Sequence, residues 1–243
     1  MGHFKNFRFG ATLLALCIGI VLSNITVAAA QDAIGDADVV HNDVRHTGGA
    51  HPGPLAQGDN VIRNETVRTA ADSTTKLVFL DQTNLSLGPV SQVVLDKFVY
   101  SDASSAQKVS IGLAKGVFRF ATGTFAKPAY DIETPVATIG VRGTILDIRN
   151  ASHETTVTVV EGLAIVCPRR HTSVPLEARK DCVRATTGQT VIVHTEGGSL
   201  HARLDDQPFR FAEYCAADQA LCSQTTYAGL SPAEASVDAL CGR

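Results

Sequence analysis

The sequence predicts an all-β protein: stacked, twisted antiparallel sheets, sandwich-like, of about nine or ten short strands, with a short, partly helical C-terminal tail. Three observations carry this. β-branched runs recur about every 10 residues between Gly, Asp, Asn and Pro. Apolar and polar residues alternate within the runs, as in sheets with one buried face. No stretch from Leu55 to Val193 carries a convincing helical period.

The composition supports a buried core. Of 243 residues, 44% are hydrophobic and 19% charged. That length allows one domain with extensions, or two small ones. The net charge of −3, from 21 basic and 24 acidic side chains, argues against a nucleic-acid partner. Twenty Gly and nine Pro exclude a coiled coil.

Residues 1–30 read as a signal peptide. Lys5 and Arg8 precede an apolar run, Ala11 to Leu22, and small residues stand at Ala28 and Ala30 before Gln31. The run is shorter than the roughly 20 residues of a membrane span, although an uncleaved anchor is the alternative. Leu16 before Cys17 does not fit a lipobox. Cleavage after Ala30 gives an expected periplasmic product without a stable transmembrane segment. It removes two cations and no acid, which moves the net charge from −3 to −5.

Residues 31–54 read as a flexible linker, rich in Asp, His, Gly and Pro. His41, His46 and His51 recur every five residues, a spacing that aligns no face, and are expected to be solvated. The β domain then spans 55–203. Its strands are expected in VIRN (61–64), ETVRTAADSTTKLVFL (65–80), LSLG (85–88), SQVVLDKFVY (91–100) and KVSIGLAKGVFRF (108–120), the last broken at Gly116. AYDIETPVATIGVRGTILDIRN (129–150), ETTVTVVEGLAIVC (154–167) and TGQTVIVH (187–194) follow. DQTN (81–84) is a turn. Residues 204–243 form a Cys-containing tail, with Ser231-Pro232 as a helix start. The tail is expected to dock on the β domain, a disordered tail being the alternative.

Export makes disulfides the first reading of the cysteines. Cys167 and Cys182 flank a polar insertion, as a bridge stapling a loop would. Cys215 and Cys222 are the second expected pair, and Cys241 could be free or could replace either. A zinc site lacks any C-x-x-C or H-x-x-x-H pair, so no metal is expected.

The chemistry-bearing motifs are few. The sequence holds no G-x-S-x-G, H-E-x-x-H or P-loop. Asp131 and Glu133 could share a strand face, but surface acids are commoner than a catalytic pair. No catalytic residue and no cofactor is expected. In ETPVATIGVRGTILDI (133–148), Pro135 starts a strand and keeps Thr134 out of a helix. Gly140 and Gly143 bracket Arg142, which places Arg142 on an irregular strand. Inward, Arg142 needs a carboxylate such as Glu133, Asp147 or Glu161. Outward, it could hold a partner's carboxylate. The structural role is favoured. The candidate contact residues are Thr134, Pro135, Gly140, Val141, Arg142, Gly143 and Thr144.

This motif, with the segments 55–100, 108–150 and 154–166, resembles the FecR domain of bacterial iron-transport regulators and their stand-alone relatives. The transmembrane regulators add a cytoplasmic helical region that contacts a sigma factor, a membrane helix, and a C-terminal α/β domain that senses a siderophore receptor. Only ten residues precede the apolar run here, and about 40 follow Arg203. Sigma-factor control is therefore not carried over. The resemblance implies a periplasmic binding or regulatory module, working by protein–protein contact in envelope signalling. The alternative is a β module for a glycan or another envelope ligand.

Overall fold

The computed structural model describes residues 33–48, 52–102, 105–123, 129–141, 143–170 and 172–225, without the side chains of 96–109 and 129. In chain order the strands are β1 (Ala33–His41), β2 (Val44–Thr47), β3 (Gly53–Pro54), β4 (Asn60–Ile62), β5 (Thr66–Thr69) and β6 (Thr74–Phe79). Next come β7 (Asn84–Leu87), β8 (Gln92–Asp102), β9 (Ser105–Ala121), β10 (Ala129–Glu133), β11 (Ala137–Val141) and β12 (Ile145–Asn150). The last are β13 (Glu154–Glu161), β14 (Leu163–Pro168), β15 (Val183–Thr186), β16 (Thr190–Glu196) and β17 (Ser199–Asp205).

The strands form two sheets that share β9. Sheet A runs β4-β1-β6-β7-β9-β12-β13-β16-β17. Sheet B runs β3-β2-β5-β8-β9-β10-β11-β14-β15. Every pairing is antiparallel except β9 with β10. In both sheets the strands before β9 lie on one side of it and the strands after it on the other. Residues 105–115 of β9 pair with β8, and 116–121 pair with β12.

Gly116 marks the change of sheet. Its φ is +110°, and an added Cβ would lie 2.2 Å from Ser91 Oγ. Only glycine fits so close an approach at that backbone angle. The Ser91 hydroxyl accepts from Val117 N at 3.0 Å, which holds the corner. The expected break at Gly116 is thus a switch between sheets, because the chain keeps finding partners on both sides of it.

One core fills the space between the sheets. Across sheet A the inner row is Leu77, Leu85, Phe120, Leu146 and Val159, each opposite the next. Across sheet B it is Ile111, Ile132, Ile139, Val166 and Val183.

Two expectations are corrected. Among the described residues there are 17 strands, because stretches read as one strand are two or three. Residues 65–80 turn at Asp72 (φ +54°) from sheet B into sheet A, and 154–167 turn at Gly162 (φ +89°) from sheet A into sheet B. Residues 31–54 are also not simply a linker, since β1 and β2 lie within them. Ile34 and Ala37 enter the core, while Val39 faces the other way. A bulge between Ala37 and Val39 breaks the period that would have revealed the strand. His41 Nε2 meets Asp218 Oδ2 at 2.6 Å, and His46 Nδ1 meets the Glu65 carboxylate, so neither is merely solvated. His51 lies outside the described residues.

Residues 206–225 dock on the outer face of sheet A. They form 3-10 turns at Phe211–Ala216 and Gln219–Leu221. Phe211, Cys215 and Leu221 pack with Val39 in a second apolar cluster. Cys215 is bonded to Cys222, and Cys167 to Cys182. Cys241 lies outside the described residues. Among the described residues no helix is long and apolar enough to cross a membrane.

Candidate binding face on sheet B

The β10–β11 hairpin carries the motif. Its turn is tied by Thr134, whose hydroxyl accepts from Ala137 N at 2.8 Å. The same hydroxyl meets Thr155 Oγ1 at 2.9 Å, and Thr155 donates to Asn150 Oδ1 at 2.9 Å. Asn150 Nδ2 donates to Leu113 O at 2.6 Å. Thr134 is therefore a buried structural knot joining both sheets. Pro135 beside it is exposed.

Strand alternation sends Ile132 and Ile139 into the core and turns Asp131, Glu133, Thr138 and Gly140 toward the outer face. Gly140 is small for a reason: a Cβ there would lie 2.9 Å from Leu176 Cδ1 of the loop 169–182. Cys167 on β14 stands opposite Thr138, and its bond to Cys182 closes that loop over the sheet. The Arg179 guanidinium donates to Pro168 O at 2.6 Å and to both oxygens of Asp181, at 3.0 and 2.9 Å. Arg179's hydrogen bonds hold the Asp181 carboxyl below its ordinary range, and the nearby charges of Arg179 and Arg170 add to this.

Between loop and sheet lies a cavity of about 600 Å³, lined by Asp131, Glu133 and Thr138 and by loop residues including Ser173, Leu176 and Arg179. A second cavity, of about 480 Å³, lies over Val94, Gly112, Leu113 and Pro135. Glu133 lines both. Its carboxylate faces Arg169 Nη2 at 3.5 Å, with both side chains more than 40% exposed. An exposed pair of this kind contributes at most about 1 kcal/mol, so its charges are open to exchange with another molecule.

Of the candidate contact residues, Pro135 and Thr134 line the second cavity, and Gly140 lies beneath Leu176. Val141 and Thr144 are buried, and Gly143 is an exposed turn residue with φ +62°. These three line neither cavity. Arg142 lies outside the described residues. Of the carboxylates considered for it, Asp147 is held on both oxygens by Arg119, and Glu133 faces Arg169.

A buried cluster at the β6–β7 turn escaped the sequence reading. Tyr130 OH donates to Asp81, and Thr83 Oγ1 donates to Tyr130 OH at 2.7 Å. Burial raises the Asp81 carboxyl above its ordinary value, although hydrogen bonds from Tyr130 and Thr83 oppose it. Burial and the neighbouring Asp81 charge push the Tyr130 phenol up as well. The Asp-x-Thr spacing in DQTN was the available signal, since Thr83 N donates back to Asp81 Oδ1 at 3.1 Å. Among the described residues no cluster of three or more His, Cys, Asp or Glu is placed to hold a metal ion.

Two crystal structures of a "putative anti-sigma factor" from Parabacteroides distasonis ATCC 8503, at 1.65 and 2.50 Å resolution, are similar to this chain at 12% and 13% identity, each with a TM-score of 0.44. Each alignment covers 58% of this chain, and the chain spans 60% of theirs. No curated protein matches the chain. Residues 65–164 match the FecR protein family, a span running from β5 through the shared strand β9 to the start of β14. The part of the chain similar to the FecR protein family thus includes the β10–β11 hairpin at the middle of the candidate face.

Proposed function

We propose that the protein is an exported, non-enzymatic regulatory module that binds another protein of the cell envelope through the outer face of sheet B. The carrying observation is the FecR match over β8 to β11, the strands at the middle of this face. Two disulfides support an oxidising compartment, and the leader at residues 1–30, cleaved after Ala30, supplies the route to the periplasm. The exposed Glu133–Arg169 pair between the two cavities supplies charges that a partner of opposite pattern would engage.

Capture from envelope extract tests this. The wild type should retain a partner, and the Glu133→Lys and Arg169→Glu variants should each lose it with unchanged melting temperature. Equal capture by all three would reject the face. Retention on a glycan array in place of protein capture would favour the glycan reading. The mass of the exported chain should begin at Gln31.

A further inference from the structure

The outer face of sheet A is unusual for a covered surface. Lys76, Ser86, Arg119, Asp147, Thr158 and Thr190 stand opposite one another across β6, β7, β9, β12, β13 and β16, forming one polar row. Lys76, Ser86 and Asp147 are buried. Permanently covered positions are ordinarily apolar. This row would be equally at home in water.

What covers part of it is residues 206–225, and the contacts are mainly to main chain. Lys76 Nζ donates to Ala220 O at 2.6 Å and Ser223 O at 3.2 Å. Ser86 Oγ donates to Leu221 O at 2.5 Å. Asp147 Oδ2 accepts from Phe211 N at 2.9 Å. Asn84 Nδ2 donates to Thr225 O at 3.0 Å, and its Oδ1 accepts from Thr225 N at 2.8 Å. The segment has only short 3-10 turns, and its apolar cluster is separate from the main core. The Cys215–Cys222 bond spans the stretch that holds Asp218, Ala220 and Leu221 in place.

We propose that residues 206–225 are a displaceable strap over sheet A, latched by the Cys215–Cys222 disulfide and released when a dithiol reduces it. In that exchange the dithiol passes two electrons and two protons to the pair. Cys215 and Cys222 become thiols, and the dithiol becomes a disulfide. The closed loop is lost, the strap gains conformational freedom, and the polar row becomes hydrated. The face that opens recognises main-chain groups, so it suits an extended polypeptide segment.

Amide hydrogen exchange on the exported chain tests this, comparing wild type with a Cys215→Ser/Cys222→Ser variant that keeps Cys167–Cys182. The amides of Phe211, Leu221 and Thr225 should exchange at least tenfold faster in the variant, with β9 and β12 as protected as before. Unchanged protection of the strap would overturn the proposal. Equal loss of protection in β9 and β12 would also overturn it, because the segment would then be part of the fold. Dithiothreitol titration of the wild type gives an independent reading. Strap exchange should follow alkylation of Cys215 and Cys222, and exchange that follows Cys167 alkylation instead would count against the latch.

Discussion

Arg119 and Asp147 stand directly opposite on β9 and β12, joined by two parallel hydrogen bonds of 2.7 and 2.8 Å. Asp147 is buried, so its charge depends on this fork and on Phe211 N. Arg119→Ala strands that carboxylate and should cost about 3–5 kcal/mol. The Arg119→Met/Asp147→Leu double variant should cost less than Arg119→Met and Asp147→Leu combined, because it leaves no lone buried charge. Urea midpoints of the four proteins measure this, and simple additivity would contradict it.

Gly116→Ala should be among the most damaging small changes. The backbone angle of +110° alone costs a side chain about 1–3 kcal/mol. The new methyl would also strike Ser91, whose Cα lies 2.4 Å from the ideal Cβ. A fall of at least about 5 °C in Tm is expected for a chain of this size. An unchanged Tm would mean that the corner between sheets can relax.

Asp81 gives a pH dependence opposite in sign to that of an ion-paired acid. Below its ordinary value of 3.8 the group is protonated whether the chain is folded or not. As pH rises, Asp81 in the unfolded chain ionises first while burial keeps the proton on the folded one. Stability therefore falls until the folded group ionises too, and is level beyond that. Asp81→Asn removes this loss. Relative to wild type, the variant's Tm should improve as the pH rises above Asp81's ordinary value of 3.8. Parallel Tm curves would show that Asp81 does not titrate differently on folding.

Cys182→Ser opens the loop that walls the larger cavity. Losing a closed loop of about 15 residues should cost roughly 3 kcal/mol, less if Arg179 alone holds the loop. The buried Cys167 left behind behaves as a small apolar residue. Thermal melts should show this loss, and capture of a partner on sheet B should weaken beyond what the lower stability explains.

Part of the sheet core was legible because its residues alternate: Leu85 in N-L-S-L and Phe120 in F-R-F each sit in an apolar–polar pattern, while Leu77 opens a short continuous apolar run. The loop over the candidate face was legible through the cysteines that flank it. Strand β1 was not, since Asp36 and Asp38 dilute its apolar residues and the bulge shifts the period. The alternation of hairpins between layers was hidden as well. A Gly or Asp with positive φ reads as a turn whether the next strand joins the same sheet or the other. The polar row under the strap resembles a solvent face in sequence, because nothing local says that residues near 220 return to cover Lys76.

The central place of β9 bears on how the chain could be divided. A break between Asp102 and Ser105 leaves one fragment ending on β7 and β8, two open strand borders in two layers, and gives β9 to the other fragment. Neither piece can satisfy those borders alone, and each carries the template the other lacks. Such fragments are suited to complementation: mixed together they should reassemble by inserting one strand into two sheets at once, and a reporter split at this point would signal only when both layers have closed.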